Sequence, residues 1–372
     1  MKKIYLLLLI VFAFISGSQA QVTVSGSTGA DGTYASLTQA TGAFAAINAA
    51  GSQAGNNILI TITADVATED GANQLNNGGW TTLTINPSGT RTLSGNVNTS
   101  MIRLSGAANV TIDGLNSGGN SLAISNTNIG ASAATITFAN GASSNTIQNC
   151  NILGSATNLG VLFFTTGTVT GNNNNLITQC NISASAGGNP TNAILSVGTS
   201  AVMPNSNNTI TVCNISDYFS AGSASTGINI NSNNSDWTIT NNALYQTATR
   251  TYTTANTHNG ILINSGAGYT INNNVIGFAA PNGTGTTNMI GYASGVFPGS
   301  GTFPPSYTPG GVANATRFVG INCFFAAGGA VSSIQNNTIG GIALYTSSGA
   351  STTFGLICGI AVTSGNANIG TV

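Results

Sequence analysis

The stretch TIQNCNI, residues 146–152, decides the fold, because the chain keeps restating it. It returns as LITQCNI (176–182), TITVCNI (209–215), TITNNAL (238–244), TINNNVI (270–276) and SIQNNTI (333–339). The anchoring Ile falls at 147, 177, 210, 239, 271 and 334, so the steps are 30, 33, 29, 32 and 63 residues, the last close to two periods. Self-similarity at a period of roughly 20–50 residues is the signature of a stacked-repeat architecture. Within T-I-x the side chains alternate, so the Ile turns inward and its neighbours outward. The second Ile or Leu of each phrase opens a new strand after a bend.

Working outward, each phrase follows a second apolar run: GVLFF (160–164), AILSV (193–197), GINI (227–230), GILIN (260–264) and GINCFF (320–325). Such short strands cannot bury an apolar face alone, but stacking one coil on the next does so. Asn, Gly and Ser between the runs supply the turns. The prediction is all-β: a β-solenoid of roughly ten coils, about 45–50 Å long at ~4.8 Å per coil. One helix is expected, over residues 34–50, where Leu37, Phe44 and Ile47 share a face and Gly42 weakens it.

At this point the chain resembles right-handed parallel β-helix proteins of the pectate-lyase-like superfamily. The repeated phrases, ANVTIDGLN (108–116) and the early helix carry the likeness; the helix looks like that superfamily's N-terminal cap. The succession VTVSG, GTYASLTQA, ILITITADVATED and LTINPSG is also similar to large secreted bacterial repeat proteins that usually carry a C-terminal sorting domain. The resemblance implies a fold far more sharply than an activity, since such folds host many unrelated functions.

The amino terminus reads as an export signal. Lys2 and Lys3 precede an unbroken apolar run over residues 4–15, and Ser18-Gln19-Ala20 forms a small-x-small cleavage site. The run is short of the ~20 residues that span a bilayer. The expected organisation is a signal peptide at 1–20, an N-terminal strand and capping helix at 21–57, and a β-helix at 58–372 with a loop insertion at 277–317. The chain stops at Val372 in mid-repeat, which reads as a truncated C-terminus. The expected location is outside the cell or on its surface.

Charge is nearly absent. Past the signal there is no Lys; four Arg, six Asp and one Glu remain, a net of about −3. That argues against nucleic acid, which needs clustered Lys and Arg. It also thins the inventory for catalysis. Glycoside hydrolysis needs paired carboxylates, and lyase chemistry needs cation-binding carboxylates and a basic proton acceptor. Carboxylates cluster only at Asp65, Glu69 and Asp70, read as a solvated cap loop or a weak cation site. Asp113 reads as a turn residue before Gly114, and His258, the one histidine, as an exposed loop residue. No catalytic residue and no cofactor is assigned.

Aligning the phrases stacks Cys150, Cys180, Cys213, Asn242, Asn274 and Asn337 into one column, read as a structural ladder: buried thiols giving way to an amide ladder in which Asn takes left-handed backbone. Disulfides between coils are the alternative for the thiols. Cys323 and Cys358 are read as sharing a second column with Ile230 and Ile263. Outward Thr (209, 211, 238, 240, with 61, 63, 135 and 137 earlier) raises ice binding as a remote alternative, although Gln148, Asn272 and Gln335 interrupt the grid. The 277–317 excursion holds Tyr292, Phe297, Phe303 and Tyr307, aromatics suited to stacking on sugar rings or a protein surface. The expected function is therefore a non-enzymatic structural or adhesive protein whose loops meet a glycan or surface protein. A polysaccharide lyase or glycoside hydrolase is the alternative.

Overall fold

The computed structural model describes residues 21–291, 316–344, 346 and 356–370. These form a right-handed parallel β-helix with three long sheets. Sheet A has 12 strands, and sheets B and C have 9 each. The chain visits them cyclically. In one coil Thr146–Gln148 lies in sheet A, Cys150–Gly154 in sheet B and Gly160–Phe164 in sheet C. Successive coils pair in strict parallel register, Ile147 with Ile177 and Ile152 with Ile182. All six anchoring Ile are buried in a single continuous core.

The phrase keeps its shape because both ends are pinned in left-handed backbone. Asn149, Gln179, Val212, Asn241, Asn273 and Asn336 follow the short sheet A strands at φ between 53° and 58°. Ser144, Asn174, Asn207 and Asp236 occupy the same region two residues before four of those strands. The sheet A strands Thr146–Gln148, Leu176–Thr178, Thr209–Thr211 and Thr238–Thr240 are therefore three-residue rungs between two sharp corners. The left-handed residue is not the Cys/Asn column, as the sequence suggested, but the position just before it. Asn suits this conformation because its short polar side chain tolerates it, whereas a β-branched residue there is an outlier. Val212 is that outlier, at φ 55° and 53% exposed. Val212→Asn is expected to stabilise the fold by about 1 kcal/mol, read as a raised urea midpoint.

The N-terminal end is capped by Val22–Ser25, antiparallel both to Gly32–Tyr34 and to Asn57–Ile62, the first coil strand. Helix α1 spans Ala43–Ala49 and buries Ala43, Phe44 and Ile47. It is shorter than the 34–50 expected, for two reasons. Gly42 is extended (ψ 175°), and a Cβ there would lie 2.7 Å from the Leu37 carbonyl oxygen. The amides of Leu37 and Thr38 bond the Glu69 carboxylate rather than a helix. Within the 277–317 excursion, Thr287–Gly291 joins a small side sheet between Arg250–Tyr252 and Ile342–Leu344.

Candidate functional site

The Cys/Asn column lies inside the corner between sheets A and B. Cys150, Cys180 and Cys213 are buried and free. Each sulfur reaches the carbonyl two residues back in its own coil, at 3.1 to 3.3 Å. In Cys150 and Cys213 the neighbouring Cys180 sulfur and burial both push the thiol above its usual range, which keeps it protonated. Past Cys213 the same place holds amides. The Asn274 Oδ1 accepts from the Asn242 backbone N–H and Nδ2, both at 3.0 Å. Its Nδ2 donates to the Ile239 carbonyl (2.9 Å) and to Asn337 Oδ1 (3.0 Å). Cys323 is buried and pairs in register with Ile263, but its partner in the next coil is Val362. Cys358 pairs with Val319 and does not belong to that column.

Two further amide ladders escaped the sequence reading. Asn145, Asn175 and Asn208 stack before the sheet A strands, each Nδ2 donating to the next Oδ1 at 2.9 and 3.0 Å. Asn172 and Asn205 do the same at 3.1 Å, and Ser196 donates to Asn234 Oδ1. Their signal was present in GNNNNL, PNSNNT and SNNSDW, which look like solvated turns. Of the outward Thr, Thr211 and Thr240 do stack on sheet A, with hydroxyls 3.2 Å apart. Thr135 and Thr137 belong instead to the sheet C strand Ala134–Ala139 and are buried.

The ionisable candidates have structural surroundings. No group of three or more His, Cys, Asp or Glu among the described residues is placed to hold a metal, and Asp65, Glu69 and Asp70 are not gathered into one. Glu69 is not solvated either: it is 2% exposed. Its oxygens accept from the Leu37 and Thr38 amides at 2.8 Å and from the Thr38 hydroxyl at 2.5 Å, tying the capping segment to the first coil. Burial raises its pKa against the pull of those bonds. Glu69→Gln turns an amide group toward N–H donors and is expected to cost about 1–2 kcal/mol, with faster protease cleavage between residues 36 and 42. Asp65 accepts from the Thr92 amide and Asp70 from the Ala72 amide. Asp113 accepts from the Leu115 amide and the Asn149 and Gln148 side chains, holding a turn in which Leu115 and Asn116 have positive φ.

His258 is the clearest departure. It is 3% exposed, within the sheet C strand Thr257–Ile263. Its Nδ1 meets the Ser225 hydroxyl at 2.7 Å, its ring stacks on Phe219, and its Nε2 has no partner. Burial lowers its pKa to about 4. Beside it Arg250 pairs with Asp217 and lies over the Phe219 ring. The Ser–His contact resembles a nucleophile and its base, but both residues are buried.

A large concavity lies on the outer face of sheet C: a groove of about 510 Å³ crossing four coils. Parallel register lines up Phe163, Leu195, Asn229 and Leu262 along its floor. Asn192, Thr226 and Asn259 line up on one side, and Asn158 and the segment at Ser223 and Ala224 form a wall. No residue lining it is ionisable. These positions were missed because each run was read for its inward residue. Aligning the runs on Leu162, Ile194, Ile228 and Ile261 would have exposed the outward neighbour. Tyr292, Phe297, Phe303 and Tyr307 lie outside the described residues, as does the segment 1–20. No helix among the described residues is long and apolar enough to cross a membrane.

No family model, curated protein or solved structure matches the chain.

Proposed function

We propose that this chain is an exported, non-enzymatic β-helix protein that acts as a surface scaffold or adhesin and holds a glycan along sheet C. The observation that carries the reading is the groove: it has the size of a ligand site and the mixed apolar and amide lining that suits sugars, without an acid or base to cleave them. Export is read from the amino-terminal signal; Gln21, the first residue after its cleavage site, is held by the Tyr34 carbonyl and the Thr63 amide. Kinship with the pectate-lyase-like superfamily and with repeat proteins bearing a sorting domain belongs to this proposal too, on the motifs quoted above. Incubation with a panel of polysaccharides should release neither reducing ends nor unsaturated sugars, while affinity electrophoresis in the same polysaccharides retards the protein. Turnover that scales with protein concentration, or absence of retardation throughout the panel, would sink the reading.

A further inference from the structure

The groove also specifies what kind of glycan it takes. We propose that it binds an uncharged polysaccharide laid along the solenoid axis, its hydroxyls meeting the side-chain amides of Asn158, Asn229 and Asn231. This rests on the glycan-binding reading above and narrows it to a substrate class.

Three observations converge. First, the lining has no Lys, Arg or His to neutralise a uronate and no carboxylate to hold a bridging cation. On the floor column the nearest charge is Arg103, two coils beyond Phe163 through Thr137. An acidic chain would lose water around each carboxylate and gain no counter-charge, which is unfavourable. Second, amides punctuate the lining. Asn158 is exposed in the wall, Asn229 and Asn231 are partly exposed, and the Asn229 Nδ2 is steadied by Asn192 Oδ1 at 3.1 Å. Side-chain amides offer both donors and acceptors to sugar hydroxyls. Third, the floor alternates in character along the axis. Phe163 and Leu195 give an apolar patch, Asn229 interrupts it, and Leu262 resumes it, with Asn192 and Asn259 alongside. A neutral pyranose has the matching surface, with C–H faces for the aliphatic and aromatic side chains and hydroxyl edges for the amides. Coils advance ~4.8 Å each, close to the advance of one sugar in an extended chain, so consecutive sugars would meet consecutive coils. An extended peptide gains its affinity by pairing with a sheet edge, and this site is a sheet face.

The test is titration of the chain from residue 21 to residue 372 with cello-, manno- and chito-oligosaccharides and with oligogalacturonate of matched length. At least one neutral series should bind, and oligogalacturonate should not. Leu262→Arg should weaken the neutral ligand by at least roughly ten-fold, and Asn229→Ala by about ten-fold, the loss of one hydrogen bond. Each variant is checked for an unchanged melting midpoint; Thr178→Arg, on sheet A, controls for surface charge and should bind as the parent does. Preference for oligogalacturonate would overturn this inference and leave the glycan-binding reading standing. Neutral binding indifferent to both groove variants would overturn the site. No binding to either class would overturn both readings.

Discussion

Acidification from pH 7 to pH 4 should cost this protein about 3 kcal/mol of stability through one residue, His258. The group has a pKa of 6.5 when free and about 4 in the folded chain, because burial penalises its charged form. Below 6.5 the unfolded chain takes up a proton that the folded chain refuses. Stability therefore falls steadily as pH drops from 6.5, and the loss is complete near 4. The surroundings give the imidazolium little help: Nδ1 faces the Ser225 hydroxyl, Nε2 has no acceptor, and the nearby Arg250 is itself cationic, although paired with Asp217. Glu69 works in the opposite sense. Its folded pKa is raised, so its contribution is complete below 4.5 and fades as pH rises past that value. The measurement is the urea midpoint against pH for the parent and for His258→Asn, which can keep the Ser225 contact and does not titrate. The slope between pH 6.5 and 4 should be steep in the parent and largely gone in the variant. An identical slope in both would refute the assignment.

His258 also shows where the sequence stopped being legible. It sits in TYTTANTHNG, a run of small polar residues that looks like a solvated loop. What buries it is the third dimension. The next coil's Phe318 pairs beside it, Phe219 stacks on it, and the side sheet carrying Met289 closes over the same pocket. None of those contacts leaves a local trace. The coil architecture was legible for the opposite reason. A buried Ile recurs in each rung, and the period of the repeat is the period of the fold. The same logic extends to the groove only in part. Its floor is built from outward residues, which packing leaves free to vary, so Phe, Leu, Asn and Leu occupy one column without an obvious motif. Glu69 was half legible: a cluster of acids near the cap is visible, but the burial of this one depends on Leu37 and Thr38 meeting it from more than thirty residues away.

The largest single loss should come from the amide ladder itself. Asn274→Ala removes four hydrogen bonds at once: two accepted from Asn242 and two donated, to Ile239 and Asn337. Residues 242 and 274 are both almost wholly buried, so water does not replace the lost partners. Each stranded polar group costs roughly 1–3 kcal/mol, less whatever relaxation recovers, so the expected destabilisation is about 4 kcal/mol. Asn274→Cys should cost less, because Cys213 shows how a thiol serves this position, with its sulfur against the Thr211 and Ile177 carbonyls. The damage should also be local. In a solenoid each coil touches only its neighbours, so a broken rung lowers stability from that point toward the nearer end. Amide exchange should accordingly quicken at Asn242, Asn274 and the coils that follow, and stay slow around Ile147 and Ile177. Uniform quickening along the whole rod would mean that the coils unfold as one unit and that the ladder acts globally. A loss below about 1 kcal/mol would mean that these amides merely fill space, and the change from Cys to Asn along the column would then have no energetic meaning.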